Sequence, residues 1–397
     1  MMRSNSFSGC CTIALGVVAI GWAMCPLRAA DPWPGETAPE CVGMDAVRLA
    51  QIDHVVREAI DQRKCPGAVV LVSRFGRVVW WRPNGQRVIG ERPEPMSRET
   101  VFDMASLTKV MATATSIMVL VDRGEVTLGD RVTRFIPEFA QNGKGTITVE
   151  QLLRHRGGLI ADNPLDDYRD GPERALERIW ALRPVHEPGT KFLYSDVGYI
   201  VLGEIVRRAS GRPLDEFASV NVFGPLGMHD TTFRPDVWQR TRTAPTEMRD
   251  GRWMRAAVHD PRAFLLGGAA GHAGLFSTAR DLATFADMIL GRGERRGVRV
   301  LSPAAVEVMT SPGDTLAGQA RGLGWDIDTP FSSPRGDLFP VGGVGHTGFT
   351  GTSLWIDPAS RTAVILLTNR VHPNGKGSVV ELRRQVATIV AGAAVER

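Results

Sequence analysis

The sequence has 397 residues and contains few lysines, tyrosines and cysteines. Only five of its 47 basic residues are lysines, and the only tyrosines are Tyr168, Tyr194 and Tyr199. The formal net charge of +4, from 47 basic and 43 acidic residues, is too even to favour a nucleic-acid-binding groove. The sequence has no CxxC pair and no HExxH motif, and its histidines are scattered, so we expect no metal and no cofactor.

The N-terminal apolar stretch is short. It runs from Thr12 to Met24 and, at about 20 Å as a helix, is too short for the ~30 Å hydrocarbon core of a bilayer. Small residues end this region at Ala30, as in an export signal. We therefore expect residues 1–30 to be a signal peptide and the mature protein to be periplasmic or secreted, with no permanent membrane span. Lipid attachment at Cys25 is the alternative, but Trp22-Ala23-Met24 matches the required small-residue box poorly.

The mature protein would keep two cysteines, Cys41 and Cys65. Apolar residues between them recur at helical spacing from Val47 to Ile60. Roughly twenty helical residues would hold the two cysteines about 30 Å apart, whereas a disulfide needs Cα atoms within about 7 Å. We therefore expect two buried free thiols.

Strand-like segments lie at both ends of the chain. Residues 67–82 read as a hairpin, and two more strands are predicted within 351–370. Helical patterns fill the space between these ends and close the chain, at 106–123, 148–155, 172–182, 197–210, 279–290 and 378–390. This order predicts the α+β class, with one antiparallel β-sheet flanked by helices and an all-α lobe inserted at roughly 106–300. Residues 31–397 would form a single two-lobed domain with its site between the lobes.

Ser106 and Lys109 stand three residues apart at the start of a predicted helix. A serine hydroxyl needs an adjacent base to become a nucleophile, and lysine can serve where its pKa is lowered. The alternative is a helix N-cap serine followed by a surface lysine. Because the chain uses arginine at most basic positions, a lysine flanked by Leu107 and Val110 favours the chemical interpretation, since only lysine can lose its proton.

Two further segments could carry chemistry. Tyr194, in the sequence Tyr-Ser-Asp before a helix, could pass a proton, or it could be a core tyrosine with its hydroxyl at the surface. The glycine-rich segment 343–351 leads into a strand, where glycines indicate close approach of the backbone, here to a substrate. A bulged hairpin is the alternative for this segment. His155 and His272 are expected to be structural.

Together, in this order, the three segments resemble the penicillin-recognising serine hydrolases, which comprise class C β-lactamases, DD-peptidases and related esterases. The resemblance extends from about Gly67 to Arg370 and includes TVEQLLRHRGGL, EPGTKFLYSDVGY and GHAGLFSTARDLATF. The competing G-x-S-x-G signature of the α/β-hydrolases is absent from the sequence.

The resemblance implies a role for each matching residue. Ser106 would attack the substrate carbonyl, Lys109 and Tyr194 would share the proton transfers, and the N–H groups of Ser106 and Phe349 would form the oxyanion hole. Asp196 would face Lys109. Three strand residues would contact the substrate: His346, Thr347 and Gly348. Whether Lys109 or Tyr194 is the base stays open.

The sequence departs from the family pattern at two positions. Asp196 stands where the family often has Asn, and an anion there would favour the ammonium form of Lys109 and hence Tyr194, as a phenolate, as the base. His346 stands where β-lactamases and peptidases usually have Lys, and a neutral histidine would hold a substrate carboxylate less well.

We therefore expect an exported serine hydrolase that cleaves an ester or amide bond in a small-molecule or peptide substrate through an acyl-enzyme. The first alternative is a DD-carboxypeptidase or class C-like β-lactamase. The second is a non-catalytic penicillin- or peptidoglycan-binding protein. The oligomeric state and the physiological substrate cannot be derived from the sequence.

Overall fold

The computed structural model describes residues 36–313, 315 and 318–395. The predicted signal peptide and its cleavage site therefore lie outside the described residues. The strands are β1 (Gly67–Arg74), β2 (Arg77–Val88), β3 (Glu94–Pro95), β4 (Phe102–Asp103), β5 (Met248–Arg249), β6 (Arg252–Trp253), β7 (Phe276–Ser277), β8 (Glu294–Arg295), β9 (Val298–Arg299), β10 (Ala320–Arg321), β11 (Asp326–Asp328), β12 (Val344–Thr347), β13 (Ser353–Asp357) and β14 (Thr362–Leu367).

The main sheet has eight strands in the order β10-β11-β12-β13-β14-β1-β2-β3, and its neighbouring strands pair antiparallel. The predicted hairpin is β1–β2, and β14 pairs with β1 with Val69 opposite Leu367. The two ends of the chain thus share one sheet, which confirms the predicted α+β class.

Eleven α-helices are present in the described residues. They are α1 (Ala46–Asp61), α2 (Thr115–Asp122), α3 (Val149–Leu153), α4 (Pro172–Trp180), α5 (Asp196–Ser210), α6 (Leu214–Ala218), α7 (Val237–Arg242), α8 (Pro261–Leu265), α9 (Ala279–Leu290), α10 (Pro303–Thr310) and α11 (Val380–Ala393). Each predicted helical segment corresponds to one of these helices. Within the part of the chain that the structure describes, every helix is too short or too polar to cross a bilayer.

Strand β1 is buried on both faces because two hydrophobic cores meet the sheet there. Side chains alternate between the faces of a strand. Val69 and Leu71 belong to the core shared with the central helices, whereas Val70 and Val72 pack with α1 and α11. The segments that carry the site residues pack on the side of the central helices.

The cysteine expectation is half right. Cys65 is a free, buried thiol, and α1 lies between it and Cys41. Cys41, however, is disulfide-bonded, so the expected free thiol at Cys41 is wrong. The length of α1 excludes a disulfide between Cys41 and Cys65, but it does not exclude a disulfide between Cys41 and another cysteine.

Candidate active site

The segment around Ser106 is held by a short strand pair and a wide helical turn. Strand β4 pairs with β7 immediately before Ser106. The predicted helix 106–123 has a π-helical first part, Lys109–Ala114, which continues into α2. Single π-helical turns occur frequently at functional sites. Ser106 therefore lies at a well-fixed junction between sheet and helix.

The ammonium group of Lys109 has three close oxygen partners. Its Nζ donates to Ser106 Oγ at 3.0 Å and to the His272 carbonyl oxygen at 2.9 Å, and it lies 2.7 Å from Asp196 Oδ1. Lys109 is fully buried, which excludes the surface-lysine alternative. Burial alone would lower the pKa of Lys109, but the charge of Asp196 and the neighbouring Tyr194 outweigh it and raise the pKa above its ordinary value. Lys109 is therefore an ammonium in the resting protein.

Tyr194 immediately precedes α5, whose N-cap is Ser195. Its ring centroid lies 5.1 Å from Lys109 Nζ, and it lines the same cleft as Ser106. This placement excludes the alternative of a core tyrosine with its hydroxyl at the protein surface. Burial raises the pKa of Tyr194, and the nearby Lys109 ammonium opposes that rise only in part. The resting residue is thus a neutral phenol, and the structure does not favour a phenolate at rest.

A cleft of about 390 Å³ opens beside Ser106. It brings together four of the predicted site residues, Ser106, Tyr194, Asp196 and Phe349, with Lys109 buried next to them. Phe349 is 61% exposed. The remaining lining residues are Ala105, Ala161, Asp162, His259, Asp260, Pro261 and Ala273.

His346 lies beside the cleft and is buried. Its ring is 6.1 Å from the Tyr194 ring, centroid to centroid, and its Nδ1 contacts the Thr347 carbonyl oxygen at 2.8 Å. Burial, together with the charges of Arg321 and Lys109, holds the pKa of His346 well below its ordinary value. His346 is therefore neutral, and a neutral imidazole is expected to bind a substrate carboxylate only weakly.

The glycines of segment 343–351 approach the protein itself. A Cβ at Gly348 would lie 2.4 Å from the Met104 carbonyl oxygen, and one at Gly345 would lie 2.2 Å from a ring atom of Trp355. The backbone therefore comes close to Met104 and Trp355 at these two positions. Direct substrate contact by Thr347 and Gly348 stays a prediction.

Asp260, which lines the cleft, was not predicted from the sequence as a site residue. Asp260 Oδ1 contacts His272 Nε2 at 2.9 Å, and ligand atoms of Asp196, Asp260 and His272 all lie within 4.8 Å of one another. Although burial opposes it, His272 holds the pKa of Asp260 below its ordinary value. The Lys109 ammonium already supplies a cation to Asp196, so this group needs no metal ion to balance that carboxylate. No motif pointed to Asp260, because it meets His272 only in the folded chain.

Comparison with known proteins decides the family. A family model described as Beta-lactamase matches residues 52–388. A putative D-alanyl-D-alanine carboxypeptidase of Escherichia coli (strain K12) is 31% identical over 386 residues, covering 88% of each protein. The chain belongs to the beta-lactamase family. It is a serine hydrolase, and the non-catalytic alternative is set aside.

Two solved structures share the fold. One, EstCE1, is described as a hydrolase with promiscuous acyltransferase activity; its TM-score is 0.72 at 23% identity, over 87% of this chain and 99% of its own. A class C beta-lactamase has a TM-score of 0.73 at 18% identity, over 89% of this chain and 98% of its own. At these identities the likeness concerns the fold alone.

Proposed function

We propose that this serine hydrolase is exported and cleaves an ester or amide bond through an acyl-enzyme on Ser106. The observation that carries the proposal is the contact between Ser106 Oγ and the Nζ of the buried Lys109, 3.0 Å apart at the wall of an open cleft. A nucleophile within hydrogen-bond reach of a group that can move its proton is the arrangement that covalent catalysis needs.

The chemistry follows from this arrangement. The first step requires the form in which Lys109 or Tyr194 has lost its proton: Ser106 Oγ, which lies 3.0 Å from Lys109 Nζ in a cleft that Tyr194 also lines, attacks the substrate carbonyl and its proton passes to that deprotonated group. The N–H groups of Ser106 and Phe349 stabilise the oxyanion, and the transferred proton then goes to the leaving group. Water attacks the acyl-enzyme in a second step and regenerates Ser106.

The protonation states predict how activity depends on pH. Lys109 is raised in pKa chiefly by Asp196, against burial, and Tyr194 is raised by burial. A base acts only after it has lost its proton, so a raised pKa moves the rising limb of kcat/KM to higher pH. We expect activity to increase from neutral to alkaline pH.

A DD-carboxypeptidase is the second candidate, because a protein named as a putative D-alanyl-D-alanine carboxypeptidase is 31% identical over most of both chains. Substrates of that class carry a free carboxylate. The neutral His346 offers it no positive charge, which is why we place the ester or amide substrate first.

The test compares Ser106→Ala with Ser116→Ala on a p-nitrophenyl ester of a short acid. Ser116 is a buried serine of α2 and serves as the matched control. We expect Ser106→Ala to lose at least about 10³-fold in kcat and the control to stay near wild type. Mass spectrometry of the wild-type protein quenched during turnover should find the acyl group on Ser106.

Equal activity of the two variants would overturn the proposal. A parallel assay with a D-Ala-D-Ala peptide and with a chromogenic cephalosporin separates the candidates. Faster turnover of the peptide or the cephalosporin than of the ester, in kcat/KM, would move the second candidate or a β-lactamase to first place.

A further inference from the structure

Asp103 is a buried acid three residues before Ser106, and no motif drew attention to it. Its side chain accepts two main-chain hydrogen bonds from separate segments of the chain. Oδ1 accepts from the N–H of Ala105 at 2.8 Å, and Oδ2 accepts from the N–H of His259 at 2.7 Å. The residue is 3% exposed. Its carboxylate therefore joins the Ser106 segment to the far wall of the cleft.

The first of these bonds supports an unusual backbone. Ala105 has φ of 46°, in the left-handed region that residues other than glycine rarely adopt. Such a conformation persists only when its surroundings impose it. The peptide that follows Ala105 carries the N–H of Ser106, so the backbone angle at Ala105 sets the direction of that N–H. The Asp103 carboxylate is the side-chain acceptor that holds Ala105 there.

The second hydrogen bond, from the His259 N–H, connects Asp103 to Phe349, whose N–H is the other predicted oxyanion donor. The His259 ring stacks on Phe349, with centroids 5.6 Å apart and planes at 21°. The main chain of Asp103 also contributes, because its carbonyl oxygen accepts from Thr350 Oγ1 at 2.7 Å. Phe349 is therefore fixed on its ring by His259 and at the next residue by Thr350.

We propose that Asp103 is a positioning residue that holds the N–H groups of Ser106 and Phe349 at the spacing an oxyanion requires. The inference rests on the proposed function, which assigns those two groups to the oxyanion hole. Asp103 contacts neither the substrate nor the reacting atoms. It acts through Ala105, His259 and Thr350, and a misplacement of about 1 Å is enough to cost about 100-fold in rate.

The pH dependence of kcat distinguishes a positioning role of Asp103 from a general loss of stability in its variants. Burial raises the pKa of Asp103, and the two N–H donors and His259 oppose that rise while Asp260 adds to it. A protonated carboxyl has an O–H in place of one acceptor, so one N–H loses its partner as the pH falls through this raised pKa. We therefore expect an acid limb of kcat in the wild-type protein that is absent in Asp103→Asn.

The experiment compares Asp103→Asn with Asp281→Asn. Asp281 is also a buried acid whose Oδ2 accepts a main-chain hydrogen bond, from Asp230 at 2.9 Å, and it is not among the residues that line the cleft. We expect Asp103→Asn to lower kcat by about 10- to 100-fold with little change in KM. Inhibition by phenylboronic acid, whose adduct with serine places an oxygen in the oxyanion hole, should weaken by a similar factor. The control should keep both values.

A milder variant covers the case in which Asp103→Asn does not fold. Thr350→Val keeps the side-chain shape and removes the hydrogen bond to the Asp103 carbonyl oxygen, and it should lower kcat and boronate affinity by about threefold or more. Wild-type values in the folded variants would overturn the inference. If Ser106→Ala is inactive and both Asp103→Asn and Thr350→Val behave like the control, only this inference fails. If Ser106→Ala stays active, the proposed function fails.

Discussion

The ring of His155 stacks on the ring of Tyr194, with centroids 4.4 Å apart and planes at 26°. Its Nδ1 accepts a hydrogen bond from the N–H of Ser195, next to Tyr194, at 3.0 Å. Burial, together with Arg321 and Lys109, holds the pKa of His155 well below its ordinary value, so the ring is neutral and Nδ1 can accept. The histidine expected to be merely structural thus supports Tyr194 from its face and through its backbone.

Replacing His155 should slow catalysis by loosening Tyr194. His155→Asn tolerates the left-handed backbone of this position, φ 56°, but removes the ring. An aromatic pair contributes about 0.5–1.5 kcal/mol, so we expect kcat to fall about threefold to tenfold. His155→Phe, which keeps an aromatic face, should lose less. Steady-state kinetics on folded variants checks this, and wild-type kcat in His155→Asn would contradict it.

Asp196→Asn should move the pH profile of the enzyme. Asp196 raises the pKa of Lys109 and also that of Tyr194, so its neutralisation lowers both. Whichever of the two is the base then loses its proton at lower pH, and the rising limb of kcat/KM shifts toward neutral pH. A full pH–rate profile of the variant beside the wild type measures the shift. A profile unchanged in height and position would show that Asp196 does not determine the pKa of the catalytic base.

Local spacing was enough to predict that Ser106 and Lys109 lie together, whereas their expected roles came from the resemblance of three segments to one family. Ser106 and Lys109 are three residues apart, and their contact needs only one helical turn. The scarcity of lysine separated Lys109 from a surface residue before any contact was known. The strands at both chain ends predicted the shared sheet because their apolar runs and turns are local signals too.

Contacts between distant segments were beyond the reach of the sequence. Asp103 meets the N–H of His259, 156 positions later, and the Lys109 ammonium meets the carbonyl of His272. Neither contact has a spacing or a residue pattern that marks it. The glycines of segment 343–351 did signal close approach, but only the folded structure shows that Met104 and Trp355 are the neighbours.

His346 should not acquire charge in mildly acidic solution. Its pKa lies well below the ordinary value because the ring is buried near Arg321 and Lys109, so lowering the pH from about 7 to 5.5 adds no cation for a substrate carboxylate. The ratio of kcat/KM for an anionic ester to that for a neutral ester should therefore be the same in wild type and His346→Ala across this range. A rise of the ratio at acid pH that disappears in His346→Ala would show that the imidazolium forms and binds the substrate.

Lys144 is the second lysine of the chain that is fully buried, and its surroundings are structural. Its Nζ donates to three main-chain carbonyl oxygens, those of Gln141, Trp180 and Leu182. Among the described residues, no carboxylate forms an ion pair with this ammonium. The ammonium thereby joins the end of α4 to the segment Pro137–Gly143, which precedes α3. Of the five lysines, Lys109 and Lys144 are buried, and only their neighbours distinguish a chemical role from a structural one.

Lys144→Met should therefore destabilise the protein without changing catalysis. The variant removes all three Nζ hydrogen bonds and takes this donor from the carbonyl oxygens of Trp180 and Leu182, whereas that of Gln141 keeps the N–H of residue 144 as a donor. We expect the free energy of unfolding to fall by about 2–4 kcal/mol. Urea denaturation measures the loss, with the exposed Lys376→Met as control. The kcat of the folded variant should equal that of wild type, because Lys144 is not among the residues that line the cleft. Equal stability of the two variants would mean that water or a shift of the backbone satisfies those carbonyls. Loss of kcat in folded Lys144→Met would mean that α4 transmits strain to the site.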